Sequence, residues 1–290
     1  MEKLKFAFLG TPLLASQTLD TLEDNGFIPS VIITAPDARS GRGMSVNQSL
    51  VSAWALKHNI TCLKPDKINE DFVSKFKKFG IDISVVVAYG KILPQELIEI
   101  PKFGTINIHY SLLPKYRGAS PLESALLNGD SVTGVSIQQM VFKLDSGPIL
   151  AYKEIAVHIN DKKDDLRDKL TKVGAHLLCD IFPKIIKKKI KPQIQDESKA
   201  SYCAKIHKED GELDLEKGDA VKNYNKYRAF YGWPGVYFFT QPKNGKKAKQ
   251  NKKIRIKIKE AILQNNQFII KRVTPEGKKE VSYEDFLRQN

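Results

Sequence analysis

Over the first 180 residues, short runs of apolar and β-branched residues alternate with stretches whose apolar positions recur at helical spacing. Leu4 to Leu9, Val31 to Thr34, Ile83 to Val87 and Thr105 to His109 read as strands from their apolar, β-branched residues. Leu13 to Glu23, Leu50 to His58 and Asp71 to Phe79 read as helices. The order predicts an α/β domain with a mostly parallel sheet and helices on both faces. Thr133 to Met140 and Ile149 to Val157 predict a hairpin-like pair at the sheet edge, with Asp145 in the turn between them. Asp164 to Lys189 predicts one long helix with Leu166, Leu170, Val173, Leu177, Leu178 and Ile181 on its apolar stripe, ending near Pro183 or kinking there. Lys191 to Glu197 is polar and suits a linker. Beyond Ala204, short apolar or alternating segments, Gly235 to Phe239, Lys253 to Lys259 and Phe268 to Val273, lie between Gly, Pro and Asn turns and suggest a small β-barrel. The expected division is therefore 1–189, a linker at 190–204, and 205–290.

Within that last segment, Lys253-Ile254-Arg255-Ile256-Lys257-Ile258-Lys259 places a cation at every second position. A strand there buries the isoleucines and lines four positive charges along one face. Lys246, Lys247 and Lys249 in the preceding loop add further charge suited to backbone phosphates rather than base edges. A lysine-guarded edge strand would give the same pattern. The net charge of +14 points the same way once divided: residues 1 to 182 carry 21 Lys+Arg against 20 Asp+Glu, and residues 183 to 290 carry 26 against 13. A near-neutral first half joined to a basic second half fits a polyanionic substrate presented to a site that is not itself basic. The three cysteines, Cys62, Cys179 and Cys203, are widely spaced and suggest neither a disulfide framework nor a zinc site, and no metal is expected. Nothing reads as a membrane span or a leader, so the expected location is the reducing cytoplasm.

The candidate chemistry lies at two places. In Thr105 to His109 side chains two apart share a face, so Asn107 and His109 stand together while Ile106 and Ile108 point away. Ser111-Leu112-Leu113-Pro114 follows as a proline-stopped apolar turn at the carboxyl end of the strand, where α/β sheets bind ligands. Asp145-Ser146-Gly147-Pro148 supplies a carboxylate from the predicted turn. A neutral hydrogen-bond donor, a proton carrier and an orienting anion suit acyl transfer to an amine. Gly10-Thr11-Pro12 lacks the remaining glycines of a dinucleotide loop and reads as a tight strand-to-helix turn.

Asn107-Ile108-His109, Ser111 to Pro114 and Asp145 to Pro148, in this order and spacing, resemble the formyltransferases that use 10-formyltetrahydrofolate. The likeness is closest to the methionyl-tRNA formyltransferases, and extends through Phe8 to Pro12, Gly41-Arg42-Gly43, Val85 to Gly90, Arg228-Ala229-Phe230 and Trp233-Pro234-Gly235. The resemblance implies a Rossmann-like catalytic domain over 1–189 and an OB-fold-like tRNA-binding barrel over 205–290. It implies formyl transfer from 10-formyltetrahydrofolate to the α-amine of initiator methionyl-tRNA, releasing tetrahydrofolate, with no metal and no obligate protein partner, and a monomer as the default. Asn107, His109 and Asp145 would be catalytic; Ser111, Leu112, Leu113 and Pro114, with Val87, Ala88, Tyr89 and Gly90, would line the folate pocket. The loop at 35–47 would reach the tRNA acceptor end through Arg42, with Arg39 beside it, and Lys246, Lys247, Lys249, Arg255 and Lys257 would hold phosphates. Family members commonly follow Gly-Arg-Gly with lysines, where this chain has Met44 and Ser45. Arg117 reads either as a partner for a phosphate or folate carboxylate or as a turn cap. A glycinamide ribonucleotide formyltransferase shares the Asn-His-Asp set but would leave the basic segment unexplained; a sugar-nucleotide formyltransferase would have less use for its charge; a non-catalytic RNA-binding protein would have no use for the three polar residues.

Overall fold

The computed structural model describes residues 4–40, 45–241 and 253–289. In chain order, β1 (Phe6–Gly10) and α1 (Leu13–Asp24) lead to β2 (Val31–Ile33), a small antiparallel pair β3 (Ala38–Ser40) and β4 (Ser45–Asn47), then α2 (Leu50–Lys57) and β5 (Cys62–Leu63). There follow α3 (Glu70–Lys77), β6 (Ile83–Val87), α4 (Gln95–Glu99), β7 (Thr105–His109), β8 (Arg117–Gly118), α5 (Pro121–Leu127), β9 (Val132–Gln139), β10 (Ile149–Ala156) and α6 (Lys163–Ile186). After these come β11 (Tyr202–Cys203), α7 (Ala220–Ala229), β12 (Val236–Thr240), β13 (Ile254–Gln264), β14 (Gln267–Pro275), β15 (Val281–Ser282) and a closing helix Tyr283–Gln289.

The chain forms two compact units that interleave in sequence. The first takes residues 1–118, 132–155 and 167–202. Its seven-stranded sheet runs β10-β9-β7-β6-β1-β2-β5, with β5, β2, β1, β6 and β7 mutually parallel and β9 antiparallel to β7. The strands form where expected because their residues must be hidden: every position of β1, β2 and β6 is buried. One face of the sheet meets α6, where Phe6 and Phe182 pack with ring centroids 5.3 Å apart. Gly174 lets this helix approach closely, since a Cβ there would lie 3.0 Å from Ile108 Cγ2 and 3.2 Å from Val135 Cγ1. The opposite face carries a second apolar layer with Ala7, Leu9, Val86, Phe72, Phe76, Leu93 and Leu97. Helix α3 joins that layer through Phe72 and Phe76, one turn apart, and starts where the Asn69 side chain accepts from the Phe72 amide at 3.1 Å. Helix α6 continues through Pro183 to Ile186 rather than stopping at the proline.

The second unit takes residues 119–131, 156–166 and 203–290. Among its described residues β12, β13, β14 and β15 form one antiparallel sheet in that order. In β13 the side chains alternate as predicted: Ile254, Ile256 and Ile258 are buried, Arg255 and Lys259 exposed, and Lys257 half-buried. Helix α7 was not foreseen, because its buried positions include Asn223, Asn225 and Arg228, which break the apolar period. Arg228 donates to the carbonyls of His158 and Asp161 at 3.1 and 3.2 Å and to Asn225 Oδ1 at 2.7 Å, so this motif arginine is a buried structural clamp within the unit.

Candidate active site

β7 lies between β6 and β9, with Asn107 opposite Val86 on one side and Gln138 on the other, and His109 opposite Ser136. Ile106 and Ile108 are fully buried, and Ile108 faces α6; the two-residue period puts Asn107 and His109 on the other face, at the carboxyl end of the parallel strands. Asn107 is half-buried, and its carboxamide makes no hydrogen bond among the described residues. His109 is only 5% exposed. Its Nε2 lies 2.9 Å from the Tyr116 carbonyl oxygen, which can only accept, so Nε2 carries the proton and Nδ1 holds the lone pair.

The turn between β9 and β10 brings Asp145 to that lone pair, with Oδ2 3.7 Å from His109 Nδ1. Both carboxylate oxygens are otherwise fixed: the Gly118 amide donates to Oδ2 at 2.8 Å and Gln138 Nε2 donates to Oδ1 at 2.7 Å. The Asp145 backbone sits at φ +47°, a left-handed conformation that Asp tolerates better than most residues. Burial lowers the His109 pKa from its ordinary 6.5, and the Asp145 charge and the Tyr116 carbonyl oppose that shift. The ring therefore stands neutral near pH 7, with a basic nitrogen facing an anion that would stabilise its protonated form.

Ser111 to Pro114 turns back beneath β9. Ser136 Oγ donates to the Ser111 carbonyl at 2.8 Å and accepts from the Leu113 amide at 3.0 Å, while Ser111 Oγ donates to the Lys115 carbonyl at 2.6 Å. Ser111 and Leu113 are thus buried anchors, and Leu112 and Pro114 are the half-buried members. At the neighbouring end of β6, Val87 is buried in the sheet, whereas Ala88 and Gly90 are exposed with φ of +48° and +80°. Tyr89 is buried between them; its hydroxyl has no hydrogen-bond partner among the described residues, and burial pushes its pKa up to about 12. The adjacent ends of two parallel strands so present exposed main chain beside a polar triad, which fits a flat heterocyclic ligand held by backbone groups.

Arg117 is not available to a ligand. It is fully buried, with Nε and Nη2 donating to Gln195 Oε1 at 3.0 and 2.8 Å and Nη1 and Nη2 reaching the Glu197 carboxylate at 3.1 and 2.8 Å. Hydrogen bonds from Arg117 and then Lys143 hold the Glu197 carboxyl down at about 2. The sequence did not expose this network, because its members are about 80 residues apart and look like ordinary surface polar residues.

Of the candidate tRNA contacts, Arg255 and Lys257 lie on β13, with Arg255 stacked over Tyr237 at 5.4 Å. Arg39 lies on β3. Arg42, Lys246, Lys247 and Lys249 lie outside the described residues. Among the described residues no cluster of His, Cys, Asp and Glu could hold a metal ion, and no helix is long and apolar enough to cross a membrane.

Residues 4–182 match the family model described as formyl transferase, and residues 205–269 match the formyl transferase C-terminal domain. The methionyl-tRNA formyltransferase of Thermodesulfovibrio yellowstonii is 36% identical over 291 residues, covering 97% of this chain and 94% of that protein. The chain belongs to the methionyl-tRNA formyltransferase family. Another member, from Sulfurihydrogenibium sp., is 42% identical over 236 residues, covering 81% of this chain and 76% of its own. Among solved structures, an N-formyltransferase from Helicobacter canadensis in complex with folinic acid and dTDP-3-aminofucose superposes with a TM-score of 0.66 over 90% of this chain and 88% of that one. At 21% identity this likeness speaks to the family's fold alone.

Proposed function

We propose that the chain transfers the formyl group of 10-formyltetrahydrofolate to the α-amine of initiator methionyl-tRNA, with Asn107, His109 and Asp145 acting at the reacting carbon. The reading is carried by the convergence of His109 and Asp145, 3.7 Å apart, on the strand end that bears Asn107, in a chain 36% identical along 97% of its length to a methionyl-tRNA formyltransferase. The amine nitrogen forms a bond to the formyl carbon, the bond from that carbon to the folate N10 breaks, and N10 keeps the electron pair. Negative charge gathers on the formyl oxygen, and the Asn107 amide donates to it. The amine must lose a proton and N10 must gain one; His109 Nδ1 is the ring position able to take the first, after which Asp145 faces an imidazolium that can return the proton to N10.

The exposed main chain of Ala88 and Gly90 and the half-buried Leu112 and Pro114 would hold the folate. Arg255 and Lys257, with Arg39, Arg42, Lys246, Lys247 and Lys249, would hold tRNA phosphates. The activity belongs to a cytoplasmic monomer on this reading. Incubating the purified chain with 10-formyltetrahydrofolate and methionyl-tRNA should yield formyl-methionyl-tRNA. Absence of product from methionyl-tRNA, with turnover of an amino-sugar nucleotide instead, would overturn the assignment.

The lowered His109 pKa has a kinetic consequence. Protonation removes the base, so the acid limb of the rate profile should fall below pH 6.5. Asp145→Asn removes the charge that raises the His109 pKa and should move the limb lower still. Single-turnover rates measured across pH test this, and a limb that rises in the variant would contradict it.

A further inference from the structure

We infer that Gln195 is a positioning residue for formyl transfer: its carboxamide fixes the main chain of the Asp145 turn, and so sets where the carboxylate meets His109. The inference rests on the catalytic reading above. Gln195 belongs to the polar stretch after α6, which composition alone makes a linker. That stretch is instead bound to the sheet, since Gln193 and Ile149 exchange both backbone hydrogen bonds at 2.8 Å. Two residues on, Gln195 is 6% exposed and spends its whole amide on this corner. Nε2 donates to the Asp145 carbonyl at 2.9 Å and the Gly147 carbonyl at 2.7 Å, and lies 3.4 Å from Gln138 Oε1.

The chemistry of the amide explains why a glutamine stands there. Holding two carbonyls of a turn requires two donors on one atom, which a primary amide nitrogen supplies. Its orientation is settled by Arg117, whose guanidinium has only donors and so must face the amide oxygen, at 3.0 and 2.8 Å. Glu197 then braces Arg117 from the other side. The turn needs this brace, because Asp145 holds a left-handed backbone at φ +47°. Gly147 packs so closely on β9 that a Cβ there would lie 1.7 Å from the Gln139 carbonyl oxygen. Gln138, whose oxygen faces Gln195, also donates to Asp145 Oδ1 at 2.7 Å, so the same group steadies the carboxylate from two directions.

Gln195→Met keeps the side chain's length and removes its hydrogen bonds; Gln195→Glu keeps the oxygen that Arg117 grips but loses both donors to the turn. Each should lower the single-turnover rate at saturating 10-formyltetrahydrofolate and methionyl-tRNA by about 10²-fold, while leaving both KM values nearly unchanged. A thermal melt checks that each is folded, and if the methionine variant does not fold, the glutamate variant carries the test. Adding Gln195→Met or Gln195→Glu to Asp145→Asn should cost nothing further, because Gln195 acts through Asp145. A normal rate in the folded single variants, or a full further loss on the Asp145→Asn background, would overturn the assignment to Gln195 and leave the catalytic reading standing. Normal turnover in Asp145→Asn alone would sink the catalytic reading and this inference with it.

Discussion

His109→Gln should lower the single-turnover rate of formylation by about 10²- to 10⁴-fold, the usual contribution of a positioned acid-base group, in a protein that remains folded. Glutamine is the informative replacement. An alanine would leave the Tyr116 carbonyl, now paired with His109 Nε2 at 2.9 Å, without its donor in a buried place, at a stability cost of about 1–3 kcal/mol. A glutamine amide can reproduce that donor but cannot take a proton at the position of Nδ1. A rate lost in His109→Gln with an unchanged melting temperature therefore reports proton chemistry rather than packing. Asn107→Ala should cost about 10²- to 10³-fold for the loss of one donor to the developing oxyanion. The two losses should combine to less than their product if the residues act on one transition state. Near-parent turnover in folded His109→Gln would remove the imidazole from the reaction.

The sequence made the central part of this site legible because its signals are local. Thr-Ile-Asn-Ile-His sets two polar side chains on one face by the period of a strand, and the structure keeps that alternation, with Ile108 against α6 and Asn107 with His109 on the far face. The Asp145 turn was legible as a break between two strand-like runs. What was missing is long-range. Arg117 reads from the sequence as a partner for a phosphate or folate carboxylate or as a turn cap, yet it is fully buried against Gln195 and Glu197. Nothing around Gln195 betrays its burial, since its neighbours Gln193, Ile194, Asp196 and Glu197 are all exposed, and only the fold brings it to the Asp145 turn.

The fold shows the same division. Strands that are buried along their length, β1, β2 and β6, match their expected positions to within two residues because burial on both faces forces an apolar run. The three-residue pair β3 and β4, the short helices α4 and α5 and the polar helix α7 were not foreseen. In α7 the buried positions include Asn223, Asn225 and Arg228, and Arg228 bonds Asn225 and the carbonyls of His158 and Asp161, so hydrophobic periodicity is the wrong detector for it. Tyr237, on β12, lies beneath Arg255 at 5.4 Å and ties the basic strand to its neighbour.

Affinity for methionyl-tRNA should fall by about 10²-fold when salt is raised from about 50 to about 200 mM, if Lys253 and the three cations of β13 each neutralise one phosphate and release its counterion. Arg255 and Lys259 are exposed and Lys257 is half-buried at alternate positions of a strand whose isoleucines are hidden, and the exposed Lys253 directly precedes it, so the row has one face to offer. Arg255 is stacked on Tyr237, and its backbone amide donates to the Glu276 carboxylate at 3.3 Å. Arg255→Ala should therefore lower the slope of log affinity against log salt by about 1, weakening initiator and elongator tRNA alike, because a phosphate contact carries no sequence information. Filter binding of aminoacyl-tRNA at several salt concentrations measures both. A lysine-guarded edge strand that binds nothing predicts the opposite: a slope unchanged in Arg255→Ala, with only solubility reduced. The same experiment bears on how the work is divided in the chain, since residues 1–182 carry almost balanced charge and residues 183–290 hold 26 Lys+Arg against 13 Asp+Glu. If the basic half supplies the electrostatic grip, Arg255→Ala should raise KM for methionyl-tRNA at physiological salt and leave the saturated rate alone, whereas His109→Gln should do the reverse.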